Sequence, residues 1–440
     1  YHALLLMATV FIGGIIFLMP AQFINFYIFI KPIIDQGVEF LGTAGRHAAG
    51  VAFPMFTFIY ALFTRKDFKP LSFRMLVALY ILLYLTAFIR FGPYNMNALG
   101  LYLRALLPPL LYFSIPTIIN QKKDVIKLIK FGGWSGLSAS FVIFLQFLGL
   151  INPTSKQELL TVGEEEMLRY TGGYFDAFSA SLPIIVSIIC LLFVIQFQKK
   201  KLYFVILAIN IFAVIMTVHR MSTIVLAVVF TVWVIVNKKI KLGLLALVVI
   251  LFSLPFLMQF VPDFFGEVNP FAETESSSSY TANDEGLTLS SQALHGRGWL
   301  WRSYLERFNS ASGLDQLIGV ATTGRGPHND YLRILMNLGF FGLMLHLLLL
   351  ALIGLKLISI FRKSRRSQDE YLAQLSMTAF FFWIFLFLGS MTLAVGLLST
   401  MMWYFWMFAG ITFVQYRNQQ VSATAVEANL TDKADRGRKE

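Results

Sequence analysis

The sequence predicts an all-α, polytopic membrane protein with about 12 transmembrane helices and one long, partly helical periplasmic loop. Three observations carry that prediction. Charged residues make up 14% of the chain, against roughly a quarter in soluble domains. Apolar runs close to the ~20 residues that a bilayer requires recur along the chain and bring the hydrophobic fraction to 57%. The runs also lack the period-two alternation of a membrane barrel, so their backbone groups must be satisfied inside helices.

In chain order the predicted spans lie near 3–20, 47–64, 74–90, 99–119, 129–150, 177–197, 202–218, 222–236, 242–261, 338–360, 373–392 and 399–416. The first run has no small-residue cleavage site followed by a soluble domain, so it reads as a retained span rather than a signal peptide. The segment "FINFYIFIKPII" after it reads as interfacial. Residues 1–261 thus hold spans one to nine, 262–330 the long loop, 331–416 spans ten to twelve, and 417–440 a tail expected to be disordered. The single cysteine, Cys190, lies inside an apolar run, so no intrachain disulfide is possible.

The short loops set the orientation. "RKDFKPLSFR", "QKKDVIKLIK", "QKKK", "NKKIK", "FRKSRRS" and the tail "KADRGRKE" all follow even-numbered spans. By the positive-inside rule these face the cytoplasm, together with both termini. The net charge of +12 is mostly this inner-face signal, so nucleic acid is not an expected partner. The odd-numbered loops differ. One is glutamate-rich, "NPTSKQELLTVGEEEMLRYTGGYFDA". The longest passes through "ETESSSSYTANDEG", whose composition suits a flexible excursion. It then reaches a segment with Trp299, Leu300, Tyr304, Leu305 and Phe308 at helical spacing.

Arginines stand out where these outer loops meet the spans: Arg90, Arg104, Arg169, Arg220, Arg297, Arg302 and Arg325. A guanidinium fork binds phosphate oxygens bidentately and does so best in a partly dehydrated site. Such a set at a lipid boundary suits a lipid-linked pyrophosphate. The simpler alternative is that each arginine reaches for head groups or pairs with a loop carboxylate. That alternative is weakest for Arg220, because arginine at a short outer turn runs against the positive-inside rule. In "GRGPHNDYL", His328 is the best catalytic candidate, since a histidine side chain can take a proton from a sugar hydroxyl. Asn329 or Asp330 could cap the helix that follows, and a lone histidine at a helix start is structural more often than catalytic. His219, His295 and His346 are weaker candidates. No His-x-x-x-His, paired cysteine or outer Asp-x-Asp is present, so no metal or other cofactor is expected.

These segments resemble the O-antigen ligase/polymerase superfamily. The ligase pattern of His, then Asn/Ser/Gln, nine residues, Gly, two residues, Gly/Thr/Tyr is matched by His328-Asn329, Gly339 and Gly342. "RYTGGYFDAFSA" resembles the family's Arg-x-x-Gly segment before a span, and "HRMSTIVLAVVF" its Ser-Arg-type turn. The chain departs from the family where many members carry an Asn-Pro-Asn-like run; here Asp176-Ala177-Phe178 stands instead.

The resemblance implies a metal-independent, inverting glycosyltransferase of GT-C type at the periplasmic face of a bacterial inner membrane. The implied donor is a glycan on undecaprenyl pyrophosphate. Arg169 and Arg220, with Arg325 and Arg297 in second rank, would hold the pyrophosphate. His328 would be the general base, supported by Asn329, Asp330, Gly339 and Gly342. The acceptor would be lipid A–core oligosaccharide for a ligase, the favoured reading, or a lipid-linked repeat unit for a polymerase. A polysaccharide or lipid transporter is the second alternative. It is disfavoured because the spans are nearly free of carboxylates and show no half-to-half repeat.

Overall fold

The computed structural model describes residues 14–36, 38–64, 72–91, 96–151, 159–162, 165–168, 170–174, 176–238, 297–320, 327–391 and 399–436. Helix α1 spans Pro20–Gln36, α2 Val38–Phe63, α3 Arg74–Phe91 and α4 Met96–Leu106. A 3-10 turn at Pro108–Leu110 separates α4 from α5, Leu111–Ile118. Pro108 and Pro109 lack the amide protons a continuous helix needs, so the fourth predicted span is broken. Helix α6, Lys122–Ser135, and α7, Leu137–Phe147, meet at Gly136, where a Cβ would come within 2.7 Å of the Ser187 side chain. A hairpin follows, β1 Leu159–Val162 antiparallel to β2 Glu165–Leu168, with Leu159 opposite Leu168. Then come α8 Ala177–Phe197, α9 Lys201–Met216, α10 Arg220–Val236, α11 Arg297–Asn309, α12 Gly313–Ile318, α13 Asp330–Arg366, α14 Glu370–Gly389 and α15 Ser399–Arg436.

Among the described residues, four helical runs are long and apolar enough to cross a membrane: 122–147, α8, α13 and α14. Gly50–Phe63, Lys201–Met216 and Met221–Val236 are shorter apolar helices. The polytopic helical class therefore stands, but the number of spans predicted does not follow from these helices. The predicted span at 242–261, most of 3–20, and the serine-rich half of the long loop lie outside the described residues.

The segment read as interfacial is α1, a helix packed against α6 and α2. It buries Phe23, Ile24, Tyr27 and Ile28 together with a Lys31–Asp35 ion pair. Lys31 also lies 5.5 Å from the Trp403 ring. The polar i, i+4 pair breaks the apolar run in the sequence, yet in the fold each charge neutralises the other. Helix α15 runs on through most of the segment 417–440, as far as Arg436. No glycine or proline interrupts 417–436, so nothing in it ends a helix already begun.

Helix α8 forms the centre of the bundle and is buried from Ala177 to Ile195 almost without interruption. It packs on α6 and α9, and on α10, α14 and α15. Gly132 and Gly133 of α6 allow close approach, since Cβ atoms there would press on Cys190 and Leu191. Polar links join α9 to α8 and α7: Asn210 Nδ2 donates to Ser187 Oγ at 2.8 Å, and Ser140 Oγ donates to Asn210 Oδ1 at 2.7 Å. Small residues and satisfied polar contacts suit helix association where the surroundings offer no hydrophobic drive.

Side-chain contacts sort the bundle into two ends. At one, Arg365 donates to the Val236 carbonyl at 3.0 Å, Gln374 donates to Asn237 at 2.7 Å, and Lys122 sits 4.6 Å from the Tyr371 ring. That end gathers basic turns. At the other end Ser181 meets Ser222, Asn329 meets Met391, and Arg90 meets Gly319. The starts of α8, α10 and α13 therefore share this second end, where the predicted site residues lie.

Candidate functional site

His328 lies on a short turn that is held from three directions. The Trp301 indole of α11 donates to the Pro327 carbonyl at 2.7 Å. Asn329 Nδ2 donates to the Met391 carbonyl at 2.9 Å, and the Asp330 amide donates to the Ser390 carbonyl at 2.9 Å. Asn329 is the N-cap of α13, its Oδ1 accepting from the Leu332 amide at 3.0 Å. His328 itself is exposed and takes a left-handed backbone, φ 49°. Non-glycine residues adopt that region seldom and at a cost, and such strain gathers at functional positions.

Asp330 is not the cap. It is buried and pairs with Arg333 at 2.6 Å, both on the first turn of α13. Arg333 was missed from sequence, although its signal is there: a cation three residues after an aspartate at the mouth of an apolar helix. Below the pair, Tyr80 of α3 bonds His346 Nδ1 of α13 at 3.0 Å and lies 3.5 Å from the Tyr84 hydroxyl. His346 is thus a link between helices, as its mid-span position suggested.

Gly339 and Gly342 have a structural explanation. Helix α13 breaks at Gly339, with φ 69° and ψ −169°. Helix α12 comes in against this break, and a Cβ on Gly339 would overlap the Leu317 carbonyl. On the facing strand of chain, Gly319 has φ 106°, and its Cβ would overlap the Asn337 carbonyl. The two backbones touch, and the Val320 amide donates to the Met336 carbonyl at 2.7 Å. A Cβ on Gly342 would meet Leu338, the residue just before the break. The nine residues between Asn329 and Gly339 thus measure the distance from the turn to the break.

The far side of α12 is fastened by Arg90 at the end of α3, which pairs with Asp315 and donates to the Gly319 carbonyl at 3.0 Å. The Ser312 hydroxyl and the Arg90 guanidinium hold the Asp315 carboxyl below its ordinary value. On α11, Tyr304 and Phe308 pack on Leu332, Leu335 and Met336 of α13. Leu305, predicted on the same face, is exposed.

A second group of predicted residues surrounds the starts of α8 and α10. The turn Thr171–Tyr174 is tied by Gln36 Nε2 to the Gly172 carbonyl at 2.8 Å, by the Gly172 amide to Gln146 Oε1 at 3.0 Å, and by the Tyr174 hydroxyl to the Pro32 carbonyl at 2.8 Å. Asp176 caps α8, accepting from the Ser179 amide at 2.6 Å. His219 caps α10, accepting from the Ser222 amide at 3.2 Å, with its ring 4.8 Å from Phe178. Arg220 is the first residue of α10, and Arg297 the first of α11. Arg169 and Arg325 lie outside the described residues, as do the side chains of Arg220 and Arg297.

The N-termini of α8, α10 and α13 therefore share the end that carries His328, each capped by a side chain, and their dipoles present positive potential to an anion there. Among the described residues, no three His, Cys, Asp or Glu side chains cluster as metal ligands would.

No curated protein matches the chain. Residues 202–347 match the family model described as O-antigen ligase, a stretch that contains Arg220, Arg297, Arg325, His328 and both motif glycines but not Arg169. The match covers about a third of the chain and supports its resemblance to the O-antigen ligase/polymerase superfamily.

Proposed function

We propose that the protein is an O-antigen ligase. It moves a glycan from undecaprenyl pyrophosphate onto lipid A–core oligosaccharide at the periplasmic face of a bacterial inner membrane. The observation that carries the reading is the exposed, left-handed His328 on a turn held by α11, α13 and α14, inside the segment that matches the family. The family match supports a glycosyltransferase-like membrane enzyme acting on lipid-linked glycans. The gathering of basic turns at the opposite end supports the orientation through the positive-inside rule.

In the proposed reaction, His328 takes the proton of an acceptor hydroxyl, whose oxygen attacks the anomeric carbon of the donor sugar. The bond to the pyrophosphate oxygen breaks on the opposite face, so the configuration inverts. Undecaprenyl pyrophosphate leaves as the anion. Arg220 and Arg169, assisted by Arg325 and Arg297, neutralise the charge that develops on it. The helix N-termini at this end add to that field. Asn329 and Asp330 hold the turn, and Gly339 and Gly342 permit the break that seats α12.

The test is transfer by purified protein in the presence of EDTA, with lipid A–core and lipid-linked repeat unit offered separately. Product on lipid A–core alone supports the ligase. Lengthening of the lipid-linked glycan makes the protein a polymerase. No product with either acceptor, from folded protein, removes the enzyme reading and returns the transporter.

A further inference from the structure

The segment 297–320 belongs to a loop expected to stand in water, yet its surface divides into two unlike faces. On α11, Trp301, Tyr304 and Phe308 face the bundle, while Arg302, Glu306, Arg307 and Asn309 are exposed, with Arg302 and Glu306 paired at 2.9 Å. On α12, Leu314 is 64% exposed and Leu317 is 52% exposed. They are three residues apart and so share one helical face.

That face continues apolar surface on both sides. Helix α12 is strapped between two helices that turn large apolar side chains outward. On one side α3 exposes Leu82, Leu85 and Ile89 up to the residue before Arg90, which holds Asp315 and the Gly319 carbonyl. On the other, α13 exposes Phe340, Phe341 and Met344 from the residue after Gly339, against which Leu317 is seated. The ring of Phe308 lies 5.2 Å from that of Phe340 and joins α11 to the same surface. The outward stripes of α3 and α13 are the lipid-facing sides of helices in a membrane bundle. Leu314 and Leu317 continue this surface beside the end of α3 and the break in α13.

We propose that the α11–α12 hairpin is an interfacial element. It lies in the membrane leaflet at the His328 end, with Leu314 and Leu317 among the acyl chains of the surrounding bilayer and the charged side of α11 toward water. Interfacial helices sink their apolar face roughly 5–10 Å into the boundary between head groups and acyl chains. The indole of Trp301 and the guanidinium of Arg90 then sit at head-group level, where aromatic and basic side chains are enriched. Because Trp301 holds the Pro327 carbonyl, the His328 turn is set at the bilayer surface rather than above it.

The test uses the full-length protein in vesicles of phosphatidylethanolamine and phosphatidylglycerol. A nitroxide is attached at Leu314→Cys or Leu317→Cys, with Arg302→Cys as the water-facing reference. Cys190 is fully buried, so the unsubstituted protein reports background labelling. Collision with dissolved oxygen is compared with collision with a water-soluble nickel chelate. The oxygen-to-nickel ratio is expected to be several-fold higher at 314 and 317 than at 302. A ratio at both positions equal to that at 302 would place the hairpin in water and overturn the proposal. Exclusion of both reagents would show a protein cover, from a second copy or another part of the chain, and would overturn it equally. Both leucines are exposed, so cysteine costs little packing, and agreement between the two positions guards against a local disturbance.

Discussion

Gly339→Ala should detach α12 from α13 while leaving every group proposed to react in place. Gly339 occupies φ 69° and ψ −169°, a region essentially reserved for glycine. Forcing a side chain into such a conformation costs of order 1–3 kcal/mol. The added methyl would also overlap the Leu317 carbonyl. That atom is backbone, so no rotamer change relieves the overlap, and α12 has to move away. Moving it breaks the bond from the Val320 amide to the Met336 carbonyl, a net loss of ~1 kcal/mol. The expected destabilisation of the docked state is about 2–4 kcal/mol. Gly313→Ala supplies the contrast: nothing lies within 4 Å of a Cβ there, and alanine in a helix is favoured over glycine by up to ~1 kcal/mol. Thermal unfolding in detergent, combined with limited proteolysis of 297–326, reads both. Cleavage should rise sharply in the first variant and stay low or fall in the second. A Gly339→Ala protein with the melting curve and protease pattern of the parent would refute the account of the glycine motif.

Four further outcomes are expected. His328→Ala should abolish transfer with the melting curve unchanged, because an exposed side chain contributes little packing; retained activity would remove the general-base role. Arg220→Ala should weaken use of the donor about 10–100-fold, as expected for charge-assisted hydrogen bonds, and Arg220→Lys should weaken it less; unaltered dependence on donor concentration in both would take Arg220 out of the site. Arg333→Met should cost about 3–5 kcal/mol by stranding the buried Asp330 carboxylate, and adding Asp330→Leu should recover most of it; a double variant no more stable than the single would refute this. The Asp315 carboxyl is held below its ordinary value of 3.8, by Ser312 and then by Arg90. Its contribution to docking is therefore fully present above that pH and is lost as pH falls through the lower folded value. Protease sensitivity of 297–320 should rise only in that acid window, whereas Asp315→Asn should be sensitive already at neutral pH; equal curves for the two proteins would dismiss the Arg90–Asp315 clasp.

Much of the fold was legible because a membrane helix announces itself locally. The positions of α3, α8, α10 and α14 follow from apolar length alone. The Asn329 cap and the helix of Tyr304 and Phe308 follow from short-range pattern. The errors share a cause. Helix α1 reads as interfacial because Lys31 and Asp35 look like solvent groups until each is seen to pair with the other. Local pattern offers Asn329 and Asp330 alike as the cap, because Arg333, which takes up Asp330, looks like one more cation at a helix mouth. Gly339 and Gly342 read as motif letters, since nothing in their neighbourhood names the carbonyl of Leu317.

The sequence by itself determined the helical membrane class, the basic and non-basic ends of the bundle, and the turn on which His328 sits. Each depends on composition or on residues within a few positions of one another, where hydrophobicity, charge bias and capping act directly on the chain. Only the tertiary structure decided that α12 is clasped between α3 and α13, through contacts such as Arg90 to Gly319, which are 229 residues apart. It alone decided that the starts of α8, α10 and α13 share the end bearing His328, and that the exposed leucines of α12 adjoin the exposed apolar residues of α3 and α13. Such contacts form wherever packing brings two distant backbones together, and no local pattern encodes which two will meet.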